Sequence, residues 1–174
     1  MPSVRVVLLW LLAAMPAAAW AQSAPAKSAS APLTLRATCD AQRQPAMLHV
    51  QIANTSDQPR AVIVGFNAAN GQTHVVDSIE IIGIRPATGA NEQYVYVNPK
   101  YALAKGPQWI VSLAPGATHD IDLPVSDFTS SLTFFTLDPA AVGGTRLVFE
   151  GRPSATKATA VWTGTIETVL EPCK

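Results

Sequence analysis

The sequence predicts an all-β fold, an antiparallel β-sandwich carrying one short helix. Three observations predict it. Eight to ten short runs alternate apolar and polar residues with period two; stretches rich in Pro, Gly, Asn and Ser separate them; and only one segment carries both start and stop signals for a helix. Alternation is the mark of strands with one buried and one wet face, and frequent turn residues bring such strands back antiparallel.

The N-terminus reads as an export signal. Arg5 precedes the apolar run 6–12, and small residues lead to Ala19-Trp20-Ala21, a charge, apolar core and A-x-A arrangement that places cleavage after Ala21. The apolar run is too short to span a membrane convincingly. No cysteine lies near the cleavage point, which argues against a lipid-anchored product. Residues 22–32 (QSAPAKSASAP) are a flexible Ala/Ser/Pro linker, and 33–174 are expected to form a single domain. Removing residues 1–21 takes away only Arg5 from 12 basic and 12 acidic side chains, so the remainder has a formal charge of −1. That balance supplies no basic field for nucleic acid or an anionic membrane.

The first strand is 33–39, with Leu33, Leu35, Ala37 and Cys39 on one face. Cys39 and Cys173 sit near opposite ends of the domain, and an exported chain keeps disulfides. Neither cysteine has C-x-x-C spacing, so a structural staple is expected rather than a redox or metal-binding pair. In the chain-entropy model a loop of more than 100 residues closed this way contributes roughly 4–5 kcal/mol.

The central feature is the pair of runs in 47–66, read as a hairpin joined by the turn 54–59 (NTSDQP). In the first run Leu48, Val50 and Ile52 alternate with His49, Gln51 and Ala53; in the second, Val62, Val64 and Phe66 share one face and Ala61 and Ile63 the other, the pattern of a strand covered on both sides. Asn70-Gly71 supplies a tight turn. In 75–84 the apolar register changes beside Gly83, which predicts a bulge and a bend near Ile82. A short aromatic strand, 94–97, leads to 98–106 (NPKYALAKG), whose N-cap Asn98, Pro99 at the first helical position and terminal Gly106 predict the helix.

Trp109, Val111 and Leu113 alternate up to Ala114-Pro115-Gly116-Ala117, a type II turn. Ile121, Leu123 and Val125 then face one way and Asp120 and Asp122 the other. Residues 127–131 break the pattern, and 132–137, with Phe134 and Phe135, resume it as a strand. Asp138-Pro139 is expected to cap one helical turn. Strands 146–150 and 158–170 complete the set, the last with Ala160, Trp162, Gly164, Ile166 and Leu170 in one register.

With its N-T-S-D-x-P turn at 54–59 and its L-x-P-G turn at 113–116, the chain resembles the immunoglobulin-like β-sandwich modules of exported bacterial proteins. The resemblance implies an immunoglobulin-like sandwich and carries no catalytic residue across.

G-x-S-x-G, H-E-x-x-H, C-x-x-C and a Gly-rich phosphate loop are all missing. The imidazoles are His49, His74 and His119. Two low-grade metal sets are available. His119 with Asp120 and Asp122 forms the densest polar cluster, and Met47 with His49 offers sulfur and imidazole on one strand face. A wet strand edge explains the first better than a metal does, and the second lacks a third ligand, so neither a metal nor another cofactor is expected. Tyr94, Tyr96, Asn98, Lys100, Tyr101 and Trp109 form an aromatic, polar insert of the composition that binding surfaces favour. The expected function is therefore a non-enzymatic binding or structural module of the bacterial envelope, periplasmic or secreted, that offers loops or an edge strand to a protein or envelope partner; the alternative is a small periplasmic metal-binding protein.

Overall fold

Period-two alternation becomes three antiparallel sheets in the computed structural model, which describes residues 31–67, 73–75, 79–84, 89–96, 107–156 and 160–174. Eleven strands are present among them: β1 (Leu33–Asp40), β2 (Met47–Asn54), β3 (Arg60–Asn67), β4 (Thr73–Val75), β5 (Ile79–Ile84), β6 (Asn91–Tyr96), β7 (Gln108–Leu113), β8 (Thr118–Pro124), β9 (Phe128–Ser130), β10 (Arg146–Glu150) and β11 (Thr165–Val169). Their orders are β1-β2-β8, β4-β3-β7 and β11-β10-β5-β6-β9. The fold is the expected all-β, sandwich-like one. The export signal at 1–21, most of the linker and the helix at 98–106 lie outside the described residues.

The first sheet shows how the pattern is used. Leu35 pairs with Ile52, Ala37 with Val50 and then Ile121, and Cys39 with Leu48 and then Leu123. These rows face inward and join Val62, Val64, Ile79, Ile81, Phe128, Leu147 and Phe149 in one apolar core drawn from all three sheets. Each fully buried aliphatic or aromatic side chain contributes about 1.5–3 kcal/mol, which is why alternation fixes the register. Cys39 and Cys173 form the expected disulfide, with Cα atoms 4.5 Å apart. Beside it Ala41 N donates to Lys174 O at 2.8 Å and Lys174 N to Cys39 O at 3.2 Å, so backbone pairing reinforces the staple.

Residues 47–66 do not form a hairpin. β2 pairs with β1 and β8, whereas β3 pairs with β4 and β7, so 54–59 carries the chain from one sheet to another. Asn54 is the cause. It is buried, and its side-chain amide donates to Gln58 O at 2.8 Å, Leu113 O at 2.9 Å and Ala114 O at 3.2 Å, while its Oδ1 accepts from Ser56 N and Ser56 Oγ. These bonds turn the chain toward 113–117 instead of back along β2. At 114–117 the expected turn forms, with Gly116 at φ +75° and Ala117 N donating to Ala114 O at 3.0 Å.

The bulge is displaced as well. β5 pairs regularly with both β6 and β10, and Ile79, Ile81 and Gly83 point inward in one register. A Cβ at Gly83 would lie 3.1 Å from Thr145 Cγ2, so glycine serves close packing there, not a bend. The register shift falls between Ile63 and Gly65 of β3, and the extra residue lets Val62, Ile63 and Val64 all be buried in succession.

Two further strands differ from expectation. Phe128 is fully buried in β9, and in place of the strand expected at 132–137 a turn exposes Leu132, Phe134 and Phe135 before Leu137 returns to the core. The last strand is only β11, because Trp162 leaves the sheet. Its backbone N–H donates to Ala61 O at 2.8 Å and its ring stacks on Phe149 at 6.1 Å. Gly151 and Gly164 flank that ring where any Cβ would come within 2.5 Å of it.

Candidate functional site

The outward face of the first sheet brings His49 of one polar cluster and Asp120 and Asp122 of the other into a grid. Register places Thr38, His49 and Asp122 in one row across β1, β2 and β8, and Arg36, Gln51 and Asp120 in the next. His49 Nδ1 lies 2.6 Å from Asp122 Oδ1, and Gln51 Nε2 donates to Asp120 Oδ1 at 2.9 Å. Together they line an open hollow of about 330 Å³. Exposed pairs of this kind contribute little to stability, about 0–1 kcal/mol.

His119 is not part of that grid. Strand alternation turns it to the opposite face from Asp120 and Asp122, where its ring meets Trp109 edge-on at 5.4 Å and its Nε2 is buried with no hydrogen-bond partner among the described residues. Desolvation by burial lowers its pKa below 6.5, against an opposing effect of Asp120. Met47 opens β2 opposite Pro124, two residues from His49 on the same strand face, and no third ligand joins them among the described residues. Among the described residues no group of three or more His, Cys, Asp and Glu side chains is arranged to hold a metal.

The aromatic insert divides. Glu92, Tyr94 and Tyr96 share the inner face of β6, since every second side chain does. Tyr96 is buried with its ring edge-on to Phe128 at 5.4 Å, and Tyr94 and Trp109 pack against the core. Asn98, Lys100 and Tyr101 lie outside the described residues.

What the structure exposes instead is the turn between β9 and the 3₁₀ turn Pro139–Ala141. Leu132, Phe134 and Phe135 are 68%, 80% and 74% exposed. A polar anchor holds the base of the turn. Buried Glu92 accepts from Ser130 Oγ at 2.7 Å, Thr133 Oγ1 at 3.2 Å and Tyr94 Oη at 3.1 Å, the hydrogen bonding a carboxylate needs inside a protein. Ser130 Oγ in turn accepts from Leu132 N and Thr133 N. Phe134 N donates to Ser130 O, Ser130 N to Phe135 O, and Leu137 N to Phe128 O. Phe134 adopts φ +60°, a left-handed conformation disfavoured for a bulky side chain. With its ring 80% exposed, Phe134 gains little for the fold by occupying that position.

Sequence reasoning missed this turn because T-F-F-T-L reads as strand. Two signals point to it. Phe134 and Phe135 are adjacent, so one strand face cannot bury both, and the Ser130-Ser131 pair before them favours a turn. No protein-family model, curated protein or solved structure matches the chain.

Proposed function

We propose that this chain is a non-enzymatic module of the bacterial cell envelope, exported and held by its disulfide, which presents the 131–135 turn to an envelope component. The observation that carries this reading is the contrast at that turn between a buried polar anchor, Glu92 with Ser130 and Thr133, and three large apolar side chains left in water. Scattered single apolar residues are ordinary on surfaces, whereas three within four positions mark a contact site. The strained Phe134 backbone adds to this, since such strain is kept where function requires it. The exposed grid of Arg36, His49, Gln51, Asp120 and Asp122 supports the non-enzymatic part, for its polar groups pair with one another across an open face. The same pairs support a binding module over a metal-binding protein.

Capture from envelope extract tests the reading. The native chain is expected to retain envelope material that Leu132→Ser/Phe134→Ser releases, while Val169→Ser, at a 64% exposed residue of edge strand β11, retains it. Equal capture by the native chain and the turn variant would end the proposal. Circular dichroism of each variant separates loss of contact from loss of fold.

A further inference from the structure

We infer that the partner of this turn is a lipid surface, into whose apolar layer Leu132, Phe134 and Phe135 insert; the inference rests on the reading above. The strongest ground is the hydrogen bonding of the turn. Entry into an apolar layer costs less the more of a segment's N–H and O–H groups are already paired. Here Ser130 N donates to Phe135 O, Ser131 N to Gln93 O and Phe134 N to Ser130 O, while the N–H groups of Leu132 and Thr133 donate to Ser130 Oγ. The side chains follow the same rule. Ser130 and Thr133 donate to Glu92 and Ser131 Oγ donates to Gln93 O, so the hydroxyls of 130–133 are satisfied from within the protein.

Charge and size point the same way. Residues 128–137 contain no charged side chain, so nothing in the segment opposes entry into hydrocarbon or selects an anionic headgroup. Three side chains of this size present on the order of 400 Å². That is about half of what each side of a stable protein interface buries, roughly 800 Å². An apolar layer imposes no such minimum area and no shape requirement, and insertion to interfacial depth suits a tip this small. The affinity expected is that of a weak, reversible anchor, with a partition constant on the order of 10⁴ M⁻¹, comparable to a single acyl chain.

The test is depth-resolved. Phe134→Trp in the purified chain is mixed with phosphatidylcholine vesicles carrying brominated acyl chains, and its fluorescence is compared with that of the native chain, whose own tryptophans and N-terminal apolar run are common to both. Additional quenching of Trp at position 134, unchanged between 0.1 M and 0.5 M salt by the screening argument, is the expected result. Co-sedimentation with the same vesicles should weaken by about tenfold for Phe134→Ser, the factor for losing one buried aromatic side chain. No additional quenching, or quenching abolished by salt, overturns the inference. If vesicles give no signal while capture of envelope proteins still depends on Leu132 and Phe134, the lipid inference fails and the binding reading stands. If neither vesicles nor extract respond to the turn, both fall.

Discussion

The side-chain amide of Asn54 donates to the carbonyl of Leu113 at 2.9 Å, across a sequence separation of 59 residues. The backbone completes the join, for Asn54 N donates to Ala117 O and Gly116 N to Asn54 O, both at 2.9 Å. The two turns, 54–59 and 113–116, are therefore one clamp. It binds the end of β2 to the β7–β8 connection at the point where the chain changes sheets. Asn54→Ala leaves the carbonyls of Leu113, Ala114 and Gln58 without this donor. At about 1–3 kcal/mol for each buried group left unpaired, a loss of roughly 3 kcal/mol is expected in urea unfolding. Asn54→Asp should cost more, because a carboxylate would face three carbonyl oxygens.

The disulfide constrains the same architecture from its ends. Cys39 and Cys173 are separated by 134 residues, so reduction releases nearly the whole domain as one loop. The chain-entropy model assigns such a closure about 4–5 kcal/mol. Cys39→Ser/Cys173→Ser, or the native chain in dithiothreitol, should show a lower urea midpoint with both treatments agreeing. Agreement within error of the oxidised native chain would show that the backbone pairs at Ala41 and Lys174 suffice without the covalent bond.

The legible parts of this fold are those in which one residue's chemistry decides one outcome. Leu48, Val50 and Ile52 have a single way to be buried together, so β2 and its inward face follow from alternation. Cys39 and Cys173 have only each other. Pro115-Gly116 specifies its turn because Gly116 takes positive φ without steric cost. Where several outcomes share one local pattern, the sequence is silent. N-T-S-D-x-P bends the chain equally well within a sheet or between sheets, and only the distant carbonyls of Leu113 and Ala114 choose. The same holds at the candidate site. Nothing in T-F-F-T-L reveals that Glu92 will anchor Ser130 and Thr133, and a positive φ at Phe134 is not encoded by residue type. Gly83 misled for the related reason that a packing glycine and a bulge glycine look alike.

His119 gives the protein a pH dependence with a definite sign. Burial lowers its pKa in the folded state below 6.5. Above 6.5 both folded and unfolded chains hold it neutral, and it adds no slope. As pH falls through 6.5 the unfolded chain takes up the proton first, so stability declines from there down to the lowered folded pKa. His119→Phe keeps an aromatic ring beside Trp109 and removes the unpaired buried nitrogen. Near-neutral or slightly raised stability is expected at pH 7.5, and a smaller loss than in the native chain between pH 6.5 and 5.5. The difference between the two urea series isolates this residue, since every other titrating group is shared. Parallel curves would remove His119 as the cause.

Phe134 separates what the turn contributes to folding from what it contributes to contact. Its left-handed backbone is costly for a residue with a β-carbon, on the order of 1 kcal/mol, and its 80% exposed ring recovers little of that by burial. Glycine adopts the same conformation freely. Phe134→Gly should therefore unfold at a higher or equal urea concentration, with part of the gain offset by the greater freedom of glycine in the unfolded chain. The same variant removes an inserting side chain, so binding should fall by about tenfold while stability is preserved or improved. A residue kept for the fold would show the opposite, losing stability with binding unchanged. Urea unfolding and vesicle co-sedimentation on one preparation of Phe134→Gly therefore decide whether position 134 is held against its own conformational preference by the contact it makes.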